Sequence, residues 1–224
     1  MAPSKGTSAA LTDDGESSIY FWREYGSPFS YLSQWYPSPF TVSGTDITYT
    51  TAEQYMMHQK AILFNDAEIA LKILSSTSPK EQKSLGRQVS NFDDVVWKEN
   101  RERIVEEASY WKFKIGKDEG ILKGEGVSLI DRLLGTKERE IVEASPRDRI
   151  WGVGFGEKNA EKRRADWGLN LLGKAIMEAR KKLREESIDI EAVPGEIEEK
   201  PKTPEQVDVN DGERRAKKQK KSKN

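Results

Sequence analysis

The chain of 224 residues carries 37 lysines and arginines against 38 aspartates and glutamates, one histidine and no cysteine. Disulfides, thiol nucleophiles and thiolate metal sites are therefore excluded, and His58 alone cannot build a multi-histidine zinc site. Composition leaves room for an oxygen-ligand Mg²⁺ or Ca²⁺ site, but no residue pattern calls for one, and no cofactor is predicted. No apolar run approaches the roughly 20 residues of a membrane span. The opening MAPSKGTSAA lacks the basic start and apolar stretch of a signal peptide. The expectation is an intracellular protein without membrane contact.

The near-neutral total hides a partition. The six tryptophans, seven tyrosines and seven phenylalanines all lie between Tyr20 and Trp167. Ends without large apolar groups cannot offset the entropy of ordering the chain. This predicts a disordered N-terminus over 1–17, one folded domain over 18–184 and a disordered tail over 185–224. The tail has two blocks, a balance of −8 over 185–211 and of +6 over 212–224. The basic run Arg214–Lys223 reads as a nuclear address or a nucleic-acid contact, with a solvated tail as the bland alternative. Localisation is thus cytoplasmic or nuclear.

In chain order, short extended pieces are predicted around Ser18–Trp22, Phe40–Val42 and Ile47–Thr50, from their β-branched and aromatic content. Thr50 with Glu53, or Thr51 with Gln54, makes a capping box that opens a helix over Ala52–Phe64. Ser78 followed by Pro79 starts another helix. The longest helical pattern covers 94–115, with Trp97, Ile104, Ala108, Trp111 and Ile115 on one face and Gly116 as its C-cap. A short helix over 127–134 and a strand at Glu140–Glu143 follow. A last helix carries Leu169, Leu172, Ile176, Ala179 and Leu183 on one face. Helices dominate and strands are few, so the fold class is α+β, a mostly helical single domain with a few short strands. Gly152-x-Gly154-x-Gly156 follows no long strand and is not a dinucleotide-binding fingerprint.

Three segments carry more polar and aromatic chemistry than a core requires. Leu32–Phe40 (LSQWYPSPF) places Trp35 and Tyr36 among prolines, a rigid wall able to stack a nucleobase or simply to roof the core. Thr51–Ala61 holds Glu53 in a first helical turn, where a capping role is the simpler reading. Lys60 lies two turns further along the same face, and His58 reads as structural. Ser145–Gly154 sets Asp148 between Arg147 and Arg149, either a salt-bridged tight loop or a loop that approaches a ligand.

Taken in order, these pieces resemble the YbiA-like family, also called NADAR for its association with NAD and ADP-ribose. The likeness runs from about Phe21 to Leu183. It rests on Leu32–Phe40, on Glu53-Gln54-Tyr55 with Gln59-Lys60, and on Leu85-Gly86-Arg87. Trp97, Lys112-Phe113 and Leu133–Thr136 continue it. It ends with Ser145-Pro146-x-Asp148-x-x-Trp151-Gly152-x-Gly154 and Gly168-x-Asn170-x-Leu172-Gly173, with Met177 and Arg180. Ser33-Gln34-Trp35 stands where the family usually has Ser-Asn-Phe, and Glu53-Gln54-Tyr55 where it often has Glu-His-Tyr. The stretch between Gly154 and Gly168 is longer than in compact members. These departures bear on substrate choice more than on reaction class.

The resemblance implies an N-glycosidase that breaks the bond between a ribose C1 and a nitrogen. The implied substrates are ADP-ribosylated guanine, in nucleic acid or nucleotide, or an early phosphorylated riboflavin intermediate, a ribosylamino-pyrimidine. Positive charge on the ribose calls for a carboxylate, and the reaction for an activated water or a protonated leaving group. Glu53 and Asp148 are the carried-over acids, with their roles unassigned. Lys60 is the candidate amine for a Schiff base with an opened ribose. Trp35, Trp97 and Trp151 would hold base or sugar, with Ser33 and Gln34 beside them. Arg87 and Lys112 would hold phosphate, and Asn170 and the Gly152 backbone would line the pocket. Two other readings remain open: a non-catalytic ADP-ribose or nucleotide reader, and a nucleic-acid-binding protein that works through its basic tail.

Overall fold

The computed structural model describes residues 17–192. Residues 1–16 and 193–224 lie outside the described residues, and with them the basic run and most of the predicted disordered ends. The chain divides at Ile190 into a unit that ends there and a second unit over 191–224.

The described chain is α+β and mostly helical. In chain order it comprises β1 (Ile19–Phe21), β2 (Phe40–Thr41), β3 (Thr48–Tyr49), α1 (Ala52–Leu63), α2 (Ala67–Ser75), α3 (Pro79–Gly86) and α4 (Asp94–Ile115). There follow α5 (Leu129–Leu134), β4 (Ile141–Glu143), α6 (Glu157–Ala160) and α7 (Leu171–Ala192). All four predicted strands form. β2 and β3 make a two-stranded antiparallel hairpin. β1 and β4 pair in parallel, Ile19 opposite Ile141 and Phe21 opposite Glu143. A parallel pair needs a long crossover, here the whole run of helices from α1 to α5.

The helix starts follow the cap chemistry. Of the two capping boxes, Thr51 is the N-cap, accepting from the Gln54 N–H at 3.2 Å. Gln54 ties the region together. Its side-chain oxygen accepts from the Thr50 N–H at 2.7 Å. Its amide nitrogen donates to the carbonyls of Ile73, Leu74 and Ser76 at 3.0, 3.2 and 3.0 Å, reinforcing the last turn of α2. Glu53 is therefore not the capping residue of α1.

α1 is buried on nearly every side, from Ala52 through His58, and packs against α2, α3 and α4. The single predicted face of α4 holds only in part. Ile104 and Ala108 are buried, Trp97 and Trp111 are half-buried, and Ile115 is exposed. Val105, Lys112 and Phe113 are buried instead, because α4 is covered by α1, β2 and α5. α2 was not predicted as an element. On α7, Leu172, Ile176, Ala179 and Leu183 face the core, while Leu169 is exposed and precedes the helix.

α7 also corrects the predicted tail boundary. The helix continues through Ala192, past residue 184. Glu186, counted as tail, accepts from Tyr110 Oη at 2.8 Å and pairs with Lys114 Nζ at 2.9 Å on α4. The acidic run finds a cation there, and its first helix-breaking proline comes only at Pro194.

Gln54→Ala should lower unfolding free energy by about 1–3 kcal/mol, since the Leu74 carbonyl and the Thr50 N–H lose their partner, while the Ile73 and Ser76 carbonyls keep the Ser76 N–H and Gln82 Nε2. Urea unfolding measures it; a loss under about 1 kcal/mol would mean that Gln54 is not the tie described.

Candidate active site

One cavity of about 670 Å³ collects most of the predicted site residues, a volume within the range of small-molecule sites. Its first wall is Ser33–Trp35. The Glu53 N–H donates to the Gln34 carbonyl at 3.1 Å, and Lys112 Nζ donates to the Ser33 carbonyl at 2.7 Å. The segment thus hangs between the head of α1 and a cation from α4. Glu53 projects from the first turn of α1, 2% exposed, with Oε1 buried and without a hydrogen-bond partner among the described residues.

The second wall is α3 against α1. Gly86 allows the contact: a Cβ there would lie 2.1 Å from Met57 Sδ. The Gly86 carbonyl accepts from Lys60 Nζ at 2.7 Å. Lys60 also lies 4.2 Å from the Phe92 ring centre and 5.5 Å from that of Trp97. Lys83 and Arg87 reach the cavity from α3 and its C-cap.

The third wall follows β4. Asp148 Oδ1 accepts from the N–H groups of Ile150 and Trp151 at 2.9 and 2.8 Å. Backbone amides, rather than the flanking arginines, set its position; Arg149 instead donates to the Asp166 carbonyl at 2.7 Å. Glu143, Ser145, Ile150 and Trp151 complete this side. At the mouth stand Trp22, Arg23, Glu24 and Tyr25, with the Arg23 guanidinium 4.1 Å from the Trp22 ring centre.

Nine predicted residues line the cavity: Glu53, Lys60, Asp148, Ser33, Gln34, Trp35, Arg87, Trp97 and Trp151. Three do not, and each is a correction. Lys112 is fully buried beneath the wall and cannot meet a phosphate; it supports the Ser33 carbonyl. Asn170 is buried and holds β4, donating to the Ile141 carbonyl at 2.9 Å and accepting from the Glu143 N–H at 3.0 Å. Gly152 packs behind β4, where a Cβ would lie 2.6 Å from the Glu143 carbonyl oxygen. His58 is structural, hydrogen-bonded through Nδ1 to Tyr49 Oη at 3.0 Å. Glu143, Lys83 and the Trp22–Tyr25 mouth were missed. In the sequence Glu143 marks only the end of a strand.

Burial raises Glu53 to about 7, against the opposing pull of Lys83, a hydrogen bond from Trp35 and Arg87. Burial also raises Glu143 to about 8, with Asp148 adding to it. Lys112 is lowered to about 7 by burial. Lys60 is lowered by burial and then by Arg87. Among the described residues, no group of three or more His, Asp or Glu side chains is arranged to hold a metal ion.

Residues 20–184 match the NADAR domain family. The chain belongs to that family. An N-glycosidase of Acanthamoeba polyphaga mimivirus is 39% identical over 161 residues, 70% of this chain and 86% of the relative. An N-glycosidase of Nostoc punctiforme is 30% identical, over 74% of this chain and 92% of the relative. A riboflavin biosynthesis protein of Vibrio vulnificus is 28% identical, over 76% of this chain and 40% of that protein. The solved structure of YbiA from E. coli superposes with a TM-score of 0.57 at 25% identity, covering 77% of this chain and 88% of YbiA. With the family comes the enzyme class: this NADAR protein is an N-glycosyl hydrolase. No helix among the described residues is long and apolar enough to cross a membrane.

The raised acids make stability fall with pH. Between the ordinary carboxylate range and about pH 8, the native state holds protons that the unfolded chain has released, so stability is lost as pH rises through that window. Glu143→Gln should therefore melt higher than the parent at about pH 8 and nearly level with it at about pH 4. A melting-temperature gap that does not change with pH would contradict the buried acid.

Proposed function

We propose that this NADAR protein hydrolyses the bond between ribose C1 and the nitrogen of a base, on a phosphate-bearing substrate. The observation that carries this reading is Glu53. A carboxyl group with an unpartnered buried oxygen lies on the wall of a cavity edged by Trp35, Trp97 and Trp151 and by the cations Lys83 and Arg87. Indole rings suit a base and a sugar face, and Arg87 and Lys83 suit phosphate oxygens.

In this mechanism the C1–N bond lengthens and positive charge grows on C1 and the ring oxygen. Asp148, aimed by two backbone amides, faces that charge. Glu53 takes a proton from the attacking water; burial brings its affinity for protons toward neutral pH, where a general base works best. The substrate is ADP-ribosylated guanine or a phosphorylated ribosylamino-pyrimidine of riboflavin synthesis. The basic run Arg214–Lys223 favours the nucleic-acid substrate, because a cationic tail raises encounter rates with a polyanion.

Lys60 supports a second route. It lines the same cavity, and its lowered proton affinity leaves more free amine. The amine attacks C1 of the ring-opened glycoside, which is an imine of the base nitrogen; the base leaves with the proton, and water hydrolyses the resulting Lys60 imine to free ribose and the amine.

Glu53→Gln should reduce base release from either substrate by a hundred-fold or more, within the usual reach of general-base loss, while the protein stays folded by circular dichroism. An active Glu53→Gln enzyme removes Glu53 from the reaction. Borohydride added during turnover should attach substrate at Lys60 if the imine route operates, and a Lys60→Arg protein should trap nothing. Repeated absence of an adduct on the parent protein counts against that route.

A further inference from the structure

The acid that ends β4 is held more firmly than the end of a strand requires. The Glu143 N–H donates to Asn170 Oδ1 at 3.0 Å, and its carbonyl accepts from the Val153 N–H at 3.0 Å. Asn170 makes this contact from a left-handed backbone conformation, φ 51°, which asparagine tolerates better than most residues. Strain of this kind persists where the surroundings enforce it, commonly at functional sites. The Glu143 side chain lines the cavity, and its Oε2 is buried with no hydrogen-bond partner among the described residues.

Two other cavity-lining side chains share that condition. Glu53 Oε1 and Gln34 Nε2 are also buried and unpartnered, on side chains 2% and 7% exposed. A buried polar atom without a partner is costly. Three of them around one cavity mark a place where a ligand completes the hydrogen bonding.

The charges around Glu143 restrict what it can be. Glu53 faces it from α1, Asp148 from the loop after β4, and Lys83 from α3; Arg23 and Glu24 stand on the wall formed after β1. Three carboxyl groups share the space with the cations Lys83, Arg87 and Lys60, of which Lys83 acts on Glu143 and both Lys83 and Arg87 on Glu53. Like charges at close quarters cannot all ionise, so the set retains a proton. Glu143 is influenced by both other acids, and among the described residues none donates a hydrogen bond to its buried Oε2.

We propose that Glu143 is a third catalytic residue, the general acid that delivers a proton to the leaving nitrogen as the C1–N bond breaks. This rests on the N-glycosidase reading above and completes its proton balance. The bond electrons go to nitrogen, which takes the Glu143 proton. Water adds to C1 and gives its proton to Glu53. The products are the free base and the ribose hydroxyl, and one proton passes from Glu53 back to Glu143 to reset the pair. Burial keeps Glu143 protonated up to about 8, so the acid is charged with its proton at neutral pH. Asn170 becomes a positioning residue that acts through Glu143.

The test joins a spectrum to a pH profile. The infrared difference between the parent protein and Glu143→Gln, without substrate, should contain a protonated carboxyl band at neutral pH that fades in alkali. In the base-release assay, Glu143→Gln should lose about a hundred-fold or more in kcat/KM and also the alkaline limb of the pH profile, and Glu143→Asp should recover part of both. Absence of the band, or a Glu143→Gln enzyme with parent activity, overturns the proposal. So does a weakened enzyme that keeps the parent's alkaline limb, because a purely structural role leaves that limb in place. A parent enzyme that releases no base from either substrate overturns the substrate reading itself, whatever the spectrum contains.

Discussion

A carboxyl group sits in the first turn of the most buried helix of this protein, and the surrounding structure answers to it. Removing Glu53 from water is costly for its charged form. α1 does not relieve that cost with a capping bond, because Thr51 and Gln54 have taken the cap between them. The acid is left facing a cavity. Its backbone N–H holds the Gln34 carbonyl, Lys112 holds the Ser33 carbonyl, and together they bring Trp35 over the same space. α3 approaches closely at Gly86 and delivers Lys83 and Arg87. The parallel pairing of β1 with β4 brings Glu143 and the Asp148 loop from the far end of the chain.

Chemically, the arrangement divides its acids by environment. Asp148 is held by two backbone amides, whereas Glu53 is buried and raised and Glu143, half-buried with a buried Oε2, is also raised. Differing environments for neighbouring carboxyls are the usual means by which one site keeps both a proton donor and a proton acceptor near neutral pH. The aromatic and cationic groups do not share in that division. They surround it, with Trp22 and Tyr25 exposed at the mouth.

Much of the fold was legible because its signals are local. Thr51 and Ser78 cap α1 and α3, and short β-branched runs mark the four strands. The single-face reading of α4 failed at Ile115 because that helix is covered on more than one side, and burial on two faces erases a 3.6-residue period. Glu186 falls in an acid-rich run without aromatics, and only its distant partners Tyr110 and Lys114 on α4 reveal that the run begins as helix. In the site, a motif records which residues matter without recording why. Lys112 and Asn170 belong to the family pattern and lie behind the cavity wall, as supports. Glu143 carries no signal of its own in a strand-like Ile-Val-Glu, and only pairing with β1 and the Asn170 contact place it beside Glu53. Of the two family departures, Gln34-Trp35 faces the cavity, while Gln54 faces α2 and does not line the cavity.

The central claim is that Glu53 and Asp148 face the reacting carbon of a ribose. A crystal structure of Glu53→Gln with ribose 5-phosphate, the fragment common to both substrate classes, tests it most directly. The account predicts C1 of the sugar between residue 53 and Asp148, with the phosphate toward Arg87 and Lys83. A ribose seated elsewhere on the protein, or turned so that C1 faces away from both acids, would contradict it.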